Sequence, residues 1–476
     1  VRRRRGGNWT LIAVILIGVL LAFLVWQWTQ FRADLRTLPD NVVVAGMDAS
    51  GMTTEQVIAA LEGAYAQPVQ LTYQEQSIVL APESVAFRFD PEQTRQALEA
   101  VRQSRNNLNG FLAYLLRRPS PTIEVTPVVQ YAPERLDGFL ARLAQQYDRP
   151  PQEPVPLPEV LTFRAGRAGY ELDREASRAR VEAALKSVVS RQTELVVRVG
   201  EAPPLQMRHL EEMLQALLDD FDGIPSVFIK DLQTGEELEI NPDVAYAGLS
   251  VLKIAVMIET YRALDQPPDV DQTKLLTETM TLSGNFTANL LLRGIIGGGD
   301  AYQGVENLTA SMRYLGLVNT FMAAPYDETT PPPAIITPAN SRTDLNTNPD
   351  PYMQTTAREV GLMLEMIYQC AHGGGALMVA YPGAFTPEKC QQMLEMMAGD
   401  RTGSMIEAGL PSGTRFARKH GWAGDTHADA AIVFSPNGDF VLVVFLYRPQ
   451  WLEWDVSNPL VTRIATATYN YFNPAR

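Results

Sequence analysis

Residues 9–28, WTLIAVILIGVLLAFLVWQW, form an apolar run without a single formal charge. At 1.5 Å per residue, twenty helical residues span about 30 Å, one bilayer hydrocarbon core. A segment of this kind fixes the layout of everything around it, because whatever follows must fold on one side of a membrane. Arg2 to Arg5 lie immediately before it, and a basic cluster on the amino side marks that end as cytoplasmic, with Trp9, Trp26 and Trp28 suited to the two interfaces. The chain is therefore read as a single-pass protein of the cell membrane: residues 1–8 a cytoplasmic tail, 9–28 the anchor, and the rest extracytoplasmic. A cleaved signal peptide is the competing reading. The run is too long for one, and Gln27 to Arg32 are too polar and bulky for a small-x-small cleavage site.

Charge narrows the partners. The total is −14, so without the four amino-terminal arginines the rest of the chain carries −18, which argues against a nucleic-acid partner. The basic residues are almost all arginine, with only six lysines: Lys186, Lys230, Lys253, Lys274, Lys389 and Lys419. A motif that requires lysine is therefore informative. The two cysteines, Cys370 and Cys390, both lie in the exported part, where a disulfide is permitted. Closing that loop contributes about 3 kcal/mol in the chain-entropy model; two buried free thiols are the alternative, and spacing alone leaves both open. No glycine-rich phosphate loop or zinc-type spacing is present, so no metal or cofactor is expected.

Hydrophobic periodicity divides the exported part into α+β units. Residues 29–126 read as a first small module, with a strand at VVVAGMDASGM, a helix opened by Thr53-Thr54-Glu55, and strands near Val69–Tyr73 and Ile78–Leu80. Residues 127–203 read as a second, with a helix over APERLDGFLARLAQQY, a proline-rich connector, the strand LTFRAG, another helix and the strand TELVVRV. The runs GMDASGMTTEQVIAAL and LTFRAGRAGYELDREASRARVEAAL resemble the repeats of VanW-type cell-wall proteins, and the resemblance implies a peptidoglycan-binding or spacer role. Residues 204–476 form the remaining unit. Its start (PSVFIKDLQTGEELEI) and its end (strands at Arg415–His420, Ala428–Phe434 and Phe440–Tyr447, then a helix from about Asn458) imply one antiparallel sheet flanked by helices.

Ser250-Val-Leu-Lys253 opens the helical pattern SVLKIAVMIETYRAL, and i, i+3 spacing puts hydroxyl and amine on one face. Serine is a weak nucleophile. A lysine kept neutral by burial or by a nearby cation can take its proton, and a helix amino terminus favours the negative charge that then develops. Two more pieces follow in order, Ser283-Gly284-Asn285 before a helix and Lys419-His420-Gly421 at the end of a strand. Together the three resemble the S-x-x-K, S-D-N and K-T-G set of class A β-lactamases and penicillin-binding proteins.

That resemblance implies roles at matching positions: Ser250 as the acylated nucleophile, Lys253 as its base, Ser283 as the shuttle to the leaving nitrogen. It implies Asn285 as ligand for Lys253 and the substrate amide, Lys419 and His420 for the substrate carboxylate, and an oxyanion hole from the N–H groups of Ser250 and Trp422, the latter following Gly421. The function implied is a serine hydrolase that forms an acyl-serine on a β-lactam or a peptidoglycan stem peptide. A D-Ala-D-Ala carboxypeptidase or transpeptidase is the alternative within enzymes. A non-hydrolytic peptidoglycan-binding or β-lactam-sensing protein is the alternative outside them.

Four departures bear on that choice. Gly284 replaces the aspartate of S-D-N, and His420 replaces the hydroxyl residue of K-T-G, bringing a pH-dependent donor. The Ser250–Ser283 stretch is roughly half the length usual in class A enzymes, which implies a missing pocket wall. The E-x-x-L-N glutamate that positions the deacylating water is also absent: one register places Arg342 there and another Pro325, with Asp327, Glu328 and Asp344 left as loop acids that either reach the site or are merely solvated. His427 and Asp429 are read as a polar pair or a turn cap, His209 and His372 as structural, and Trp451 and Trp454 as sugar-stacking or packing residues.

Overall fold

The computed structural model describes residues 9–119 and 121–474; the expected cytoplasmic tail, residues 1–8, lies outside the described residues. The chain divides into two compact units, one of residues 1–152 and 167–202, the other of residues 153–166 and 203–476.

In the first unit a single helix, Trp9–Asp34, covers the apolar run. It is long and apolar enough to cross a membrane. Phe31 near its end is buried against Phe111 and Tyr114. Beyond it the unit is a set of short strands and helices. Helix Thr54–Tyr65 starts at a capping box between Thr53 and Gln56, as its Thr-Thr-Glu opening predicts. The expected division into two modules at residue 126 does not appear, because the strands interleave across it. Strand Val42–Val44 pairs in parallel with Ile123–Val125, and Val69–Tyr73 pairs in parallel with Gln192–Glu194. Leu61, Leu71, Leu136, Leu140 and Val181 accordingly share one core. Modules of roughly 80–100 residues that bury little apolar surface alone gain stability by merging.

The second unit is built on a five-stranded antiparallel sheet. We number its strands β1 (Ile224–Asp231), β2 (Glu237–Ile240), β3 (Arg415–Trp422), β4 (Thr426–Phe434) and β5 (Phe440–Tyr447), in spatial order β2-β1-β5-β4-β3. The run FVLVVFLY in β5 is buried along its whole length. Alternation explains why: Val441, Val443 and Phe445 face one core, whereas Phe440, Leu442, Val444 and Leu446 face another. Helices α1 (Met207–Leu218) and α7 (Trp454–Phe472) cover the second face. Helices α2 (Lys253–Ala263), α3 (Asn285–Leu291), α4 (Ala301–Tyr314), α5 (Ala357–Ala371) and α6 (Pro387–Met397) contribute to the first. Cys370 of α5 and Cys390 of α6 are joined in a disulfide.

The boundary expected at residue 204 is also displaced. The hairpin of strands Val155–Leu157 and Thr162–Arg164 belongs to this second unit. Phe163 stacks edge-on against Tyr471, and Asn470 donates to the Leu161 carbonyl at 2.8 Å. The hairpin thus packs on the terminal helix of its own unit.

Candidate active site

The site forms where α2 begins. Residues Leu249–Leu252 make a 3₁₀ turn that runs directly into α2, so Ser250 lies one turn before the helix rather than within it. Leu249 adopts φ 51°, a left-handed conformation that costs an ordinary residue about 1 kcal/mol or more and persists only where packing enforces it. The enforcing neighbour is β3. A Cβ on Gly421 would lie 2.8 Å from both Leu249 Cβ and Ser250 N, so only glycine lets the edge strand approach the nucleophile's backbone this closely. The approach brings the Gly421–Trp422 stretch beside the Ser250 N–H.

Lys253 is fully buried, and its Nζ donates to Ser250 Oγ at 2.8 Å and to Asn285 Oδ1 at 2.7 Å. Burial first, and the Lys419 cation second, push its amine down to about 7, against an opposing pull from Asp327. Both protonation states are therefore populated near neutral pH. Asn285 in turn donates from Nδ2 to Asp327 Oδ1 at 2.9 Å. Serine, lysine, asparagine and aspartate thus form one continuous chain of contacts.

The loop preceding Asp327 supplies a residue that the sequence reading did not single out. Tyr326 is held by both ends of the Asn289 side-chain amide, each bond 2.9 Å, and its ring centroid lies 4.1 Å from Lys253 Nζ. Its hydroxyl donates to the Leu249 carbonyl at 3.2 Å, and burial pushes the phenol's pKa upward. An aromatic face, not a carboxylate, therefore adjoins the lysine. Of the three loop acids, only Asp327 joins the site. Glu328 accepts from the Tyr302 hydroxyl and the Thr329 and Thr330 N–H groups, and Asp344 pairs with Arg342.

Ser283 stands in the left-handed region at φ 57°, and its buried Oγ has no hydrogen-bond partner among the described residues. A buried hydroxyl without a partner costs about 1–3 kcal/mol, so this is an available donor and acceptor. The glycine after it has a steric reason: a Cβ on Gly284 would lie 2.6 Å from Thr287 Oγ1, which is fixed by Thr279.

Asp400, also unforeseen, organises β3. Its carboxylate accepts from His420 Nδ1 at 2.8 Å, from the His420 backbone N–H at 3.2 Å and from Lys419 Nζ at 3.3 Å. Burial raises its pKa, but the His420 contact and the Lys419 and Arg418 cations outweigh that and hold it below the usual carboxylate range. His420 thus has Nδ1 committed to Asp400, which leaves only Nε2 for other partners. Lys419 is buried, and its Nζ also donates to the His420 carbonyl; it acts on Lys253 as a neighbouring charge. His427 and Asp429 do not pair with each other. His427 Nδ1 is 2.6 Å from Ser457 Oγ, and Asp429 faces Arg418. His372 contacts the Tyr368 carbonyl, and His209 contacts Gln206 and lies 3.7 Å from the Glu153 carboxylate.

A family model described as the β-lactamase enzyme family matches residues 209–272 and 264–472, more than half of the 476-residue chain. The chain belongs to the β-lactamase enzyme family. The matched residues run through all five strands and every side chain of the Ser250 cluster, and residues 1–208 lie outside the match. No curated protein sequence matches the chain. Similar solved structures include a β-lactamase from Desulfarculus baarsii, 19% identical, covering 57% of this chain and 100% of that one with a TM-score of 0.45. A β-lactamase from Sphaerobacter thermophilus is 17% identical over 57% and 98%, with a TM-score of 0.43. A point mutant of PBP-A, solved as an acyl-enzyme complex with penicillin G, is 18% identical over 57% and 100%, with a TM-score of 0.44.

Proposed function

We propose that this member of the β-lactamase family is a membrane-anchored, extracytoplasmic serine hydrolase, acylated at Ser250 by β-lactams or by peptidoglycan-type amides. One observation carries the reading: a buried Lys253, its amine lowered to about 7, touches both Ser250 Oγ and Asn285 Oδ1. In neutral form that nitrogen accepts the Ser250 proton as Oγ bonds to the substrate carbonyl carbon. The carbonyl oxygen becomes an oxyanion facing the Ser250 and Trp422 N–H groups. The C–N bond then breaks, and the proton passes from Lys253 through Ser283 Oγ to the departing nitrogen. Lys419 and His420 Nε2 supply positive and donor character for a substrate carboxylate, and Asn285 Nδ2 for its amide.

Labelling the full chain with a fluorescent penicillin tests this. A covalent band is expected, and its persistence in Ser250→Ala sinks the assignment. Tyr326 favours a second reading within the same chemistry, a D-Ala-D-Ala peptidase or transpeptidase, because an aromatic ring adjoins Lys253. Rapid turnover of a chromogenic cephalosporin would select the lactamase, and a long-lived adduct the peptidase. If no substrate turned over while penicillin still bound, the chain would be a sensing or wall-binding protein. The helix Trp9–Asp34 supports the anchor, and retention of the chain in membranes washed with alkaline carbonate tests it. Cosedimentation with isolated wall sacculi tests peptidoglycan binding by residues 29–203.

A further inference from the structure

Three tryptophans converge on the turn that joins β3 to β4, one residue beyond the glycine that touches the nucleophile. Trp422 ends β3 opposite His427 of β4, so the two side chains leave the same face of the sheet. The His427 ring lies 5.7 Å from the ring of Trp454 at the start of α7. Trp451 lies over Gly424 in the turn itself, where a Cβ would come within 3.2 Å of its ring. The chain around it is pinned by Leu452 N–H donating to the Gly424 carbonyl at 2.7 Å. Yet the three indoles are 64%, 62% and 40% exposed for Trp422, Trp451 and Trp454. Packing of the unit leaves most of the surface of Trp422 and Trp451 uncovered, although their backbones are fixed.

We infer that these rings form a saccharide subsite, a shelf on which a pyranose ring of the N-acetylhexosamine class stacks while the peptide or amide it carries reaches Ser250. The inference rests on the acyl-serine reading above for the identity of the neighbouring chemistry, but not for the shelf itself. Two features of the patch select this occupant. It is continuous with the nucleophile site, because Gly421 contacts the Ser250 backbone and Trp422 is the next residue. Its polar neighbours include one cation, Arg448, which pairs with Glu453 at 2.9 Å, and two further acceptors, Asp455 exposed beside the indoles and Asp425 in the turn. A pyranose offers apolar C–H faces to an indole and hydroxyl or amide donors at its rim, which matches both. An anionic lipid surface would meet those carboxylates as like charges, and a purely apolar partner would leave them desolvated.

The test uses the full chain in detergent micelles, labelled with 5-fluorotryptophan and titrated with the tetramer of N-acetylglucosamine. The chain has six tryptophans, Trp9, Trp26, Trp28, Trp422, Trp451 and Trp454, so residues 29–203 contribute no signal. Single substitutions assign the fluorine resonances. Saturable shifts of the Trp451 and Trp454 resonances are expected, with binding weakened about three- to tenfold by Trp451→Ala or Trp454→Ala and largely kept in the corresponding Phe variants, which also controls for folding. Binding should persist in Ser250→Ala, so the shelf stands or falls separately from the acylation chemistry. Absence of shifts at millimolar saccharide, or binding unaffected by both Ala variants, overturns the inference. So does broadening of the Trp451 and Trp454 resonances by a spin-labelled phospholipid in the same micelle, which would make the patch a lipid-facing surface.

Discussion

Acylation of Ser250 should depend on pH through Lys253. Burial and the Lys419 cation lower its amine from the ordinary 10.5 to about 7. At pH 7.5 a group titrating at about 7 is roughly three-quarters neutral, whereas one at 10.5 is neutral in about one molecule in a thousand, a gain of roughly 800-fold in available base. The sign follows from the role: the active form is the unprotonated one, so the acylation rate should fall about tenfold per pH unit below 7 and level off above it. Quenched-flow mass spectrometry of the benzylpenicilloyl adduct between pH 5 and 9 measures this directly. Lys253→Ala should lose the limb along with most of the rate. Lys419→Gln, which removes the second cause of the depression, should move the limb to higher pH. A rate flat from pH 5 to 9 in the parent chain, or a limb that survives in Lys253→Ala, would refute the assignment of Lys253 as base.

Four further outcomes follow from the geometry. Gly421→Ala should slow acylation by about a hundredfold or more, because its Cβ must push β3 away from Ser250 N and disturb the oxyanion donors; the single-turnover rate reads it. Asp400→Ala should lower the unfolding free energy by about 3–5 kcal/mol, since it takes the carboxylate away from buried Lys419 and from His420; chemical denaturation of the second unit's signal checks it. Replacing both Cys370 and Cys390 by serine should cost about 3 kcal/mol through the loop they close, visible as a lower thermal midpoint that reducing agent reproduces in the parent. Tyr326→Glu should shorten the lifetime of the penicilloyl adduct while moving the acid limb of acylation upward, because a carboxylate beside Lys253 Nζ favours the ammonium; a longer-lived adduct would contradict it.

What was legible in the sequence was what local pattern controls. The hairpin PSVFIKDLQTGEELEI and the run FVLVVFLY each carry their geometry within a few residues, and β1, β2 and β5 lie where the pattern put them, whereas the helix expected from Leu249 begins only at Lys253, after a 3₁₀ turn. The ring beside Lys253 and the carboxylate beside Lys419, Tyr326 and Asp400, were not legible. Asp400 sits after α6 in a short loop, Ala-Gly-Asp-Arg, with no spacing relation to the strand it braces. Tyr326 reads as one more aromatic in a proline-rich loop until Asn289 fixes its backbone under the lysine. Similarly, nothing in residues 29–203 announces that strand Gln192–Glu194 returns to pair with Val69–Tyr73, because parallel pairing across more than a hundred residues leaves no local trace.

The same contacts decide which half of the acyl cycle this site serves. Acylation requires a neutral amine against Ser250 Oγ, a donor pair for the oxyanion and a relay to the leaving nitrogen, the roles proposed above for Lys253, which touches Ser250 Oγ, for the Gly421–Trp422 edge and for the unpartnered Ser283 Oγ. Hydrolysis requires in addition a base for water on the far side of the acyl carbon. Tyr326 places its aromatic face 4.1 Å from Lys253 Nζ, and its hydroxyl is already given to the Leu249 carbonyl. The remaining acid, Asp327, accepts from the Asn285 amide that also meets Lys253, so its hydrogen bond orients the asparagine. On the proposed reading, such a site should form the ester faster than it clears it. Its natural cycle then depends on an acyl acceptor that arrives with its own nucleophile, and a shelf holding a sugar beside Ser250 would present such an acceptor in place.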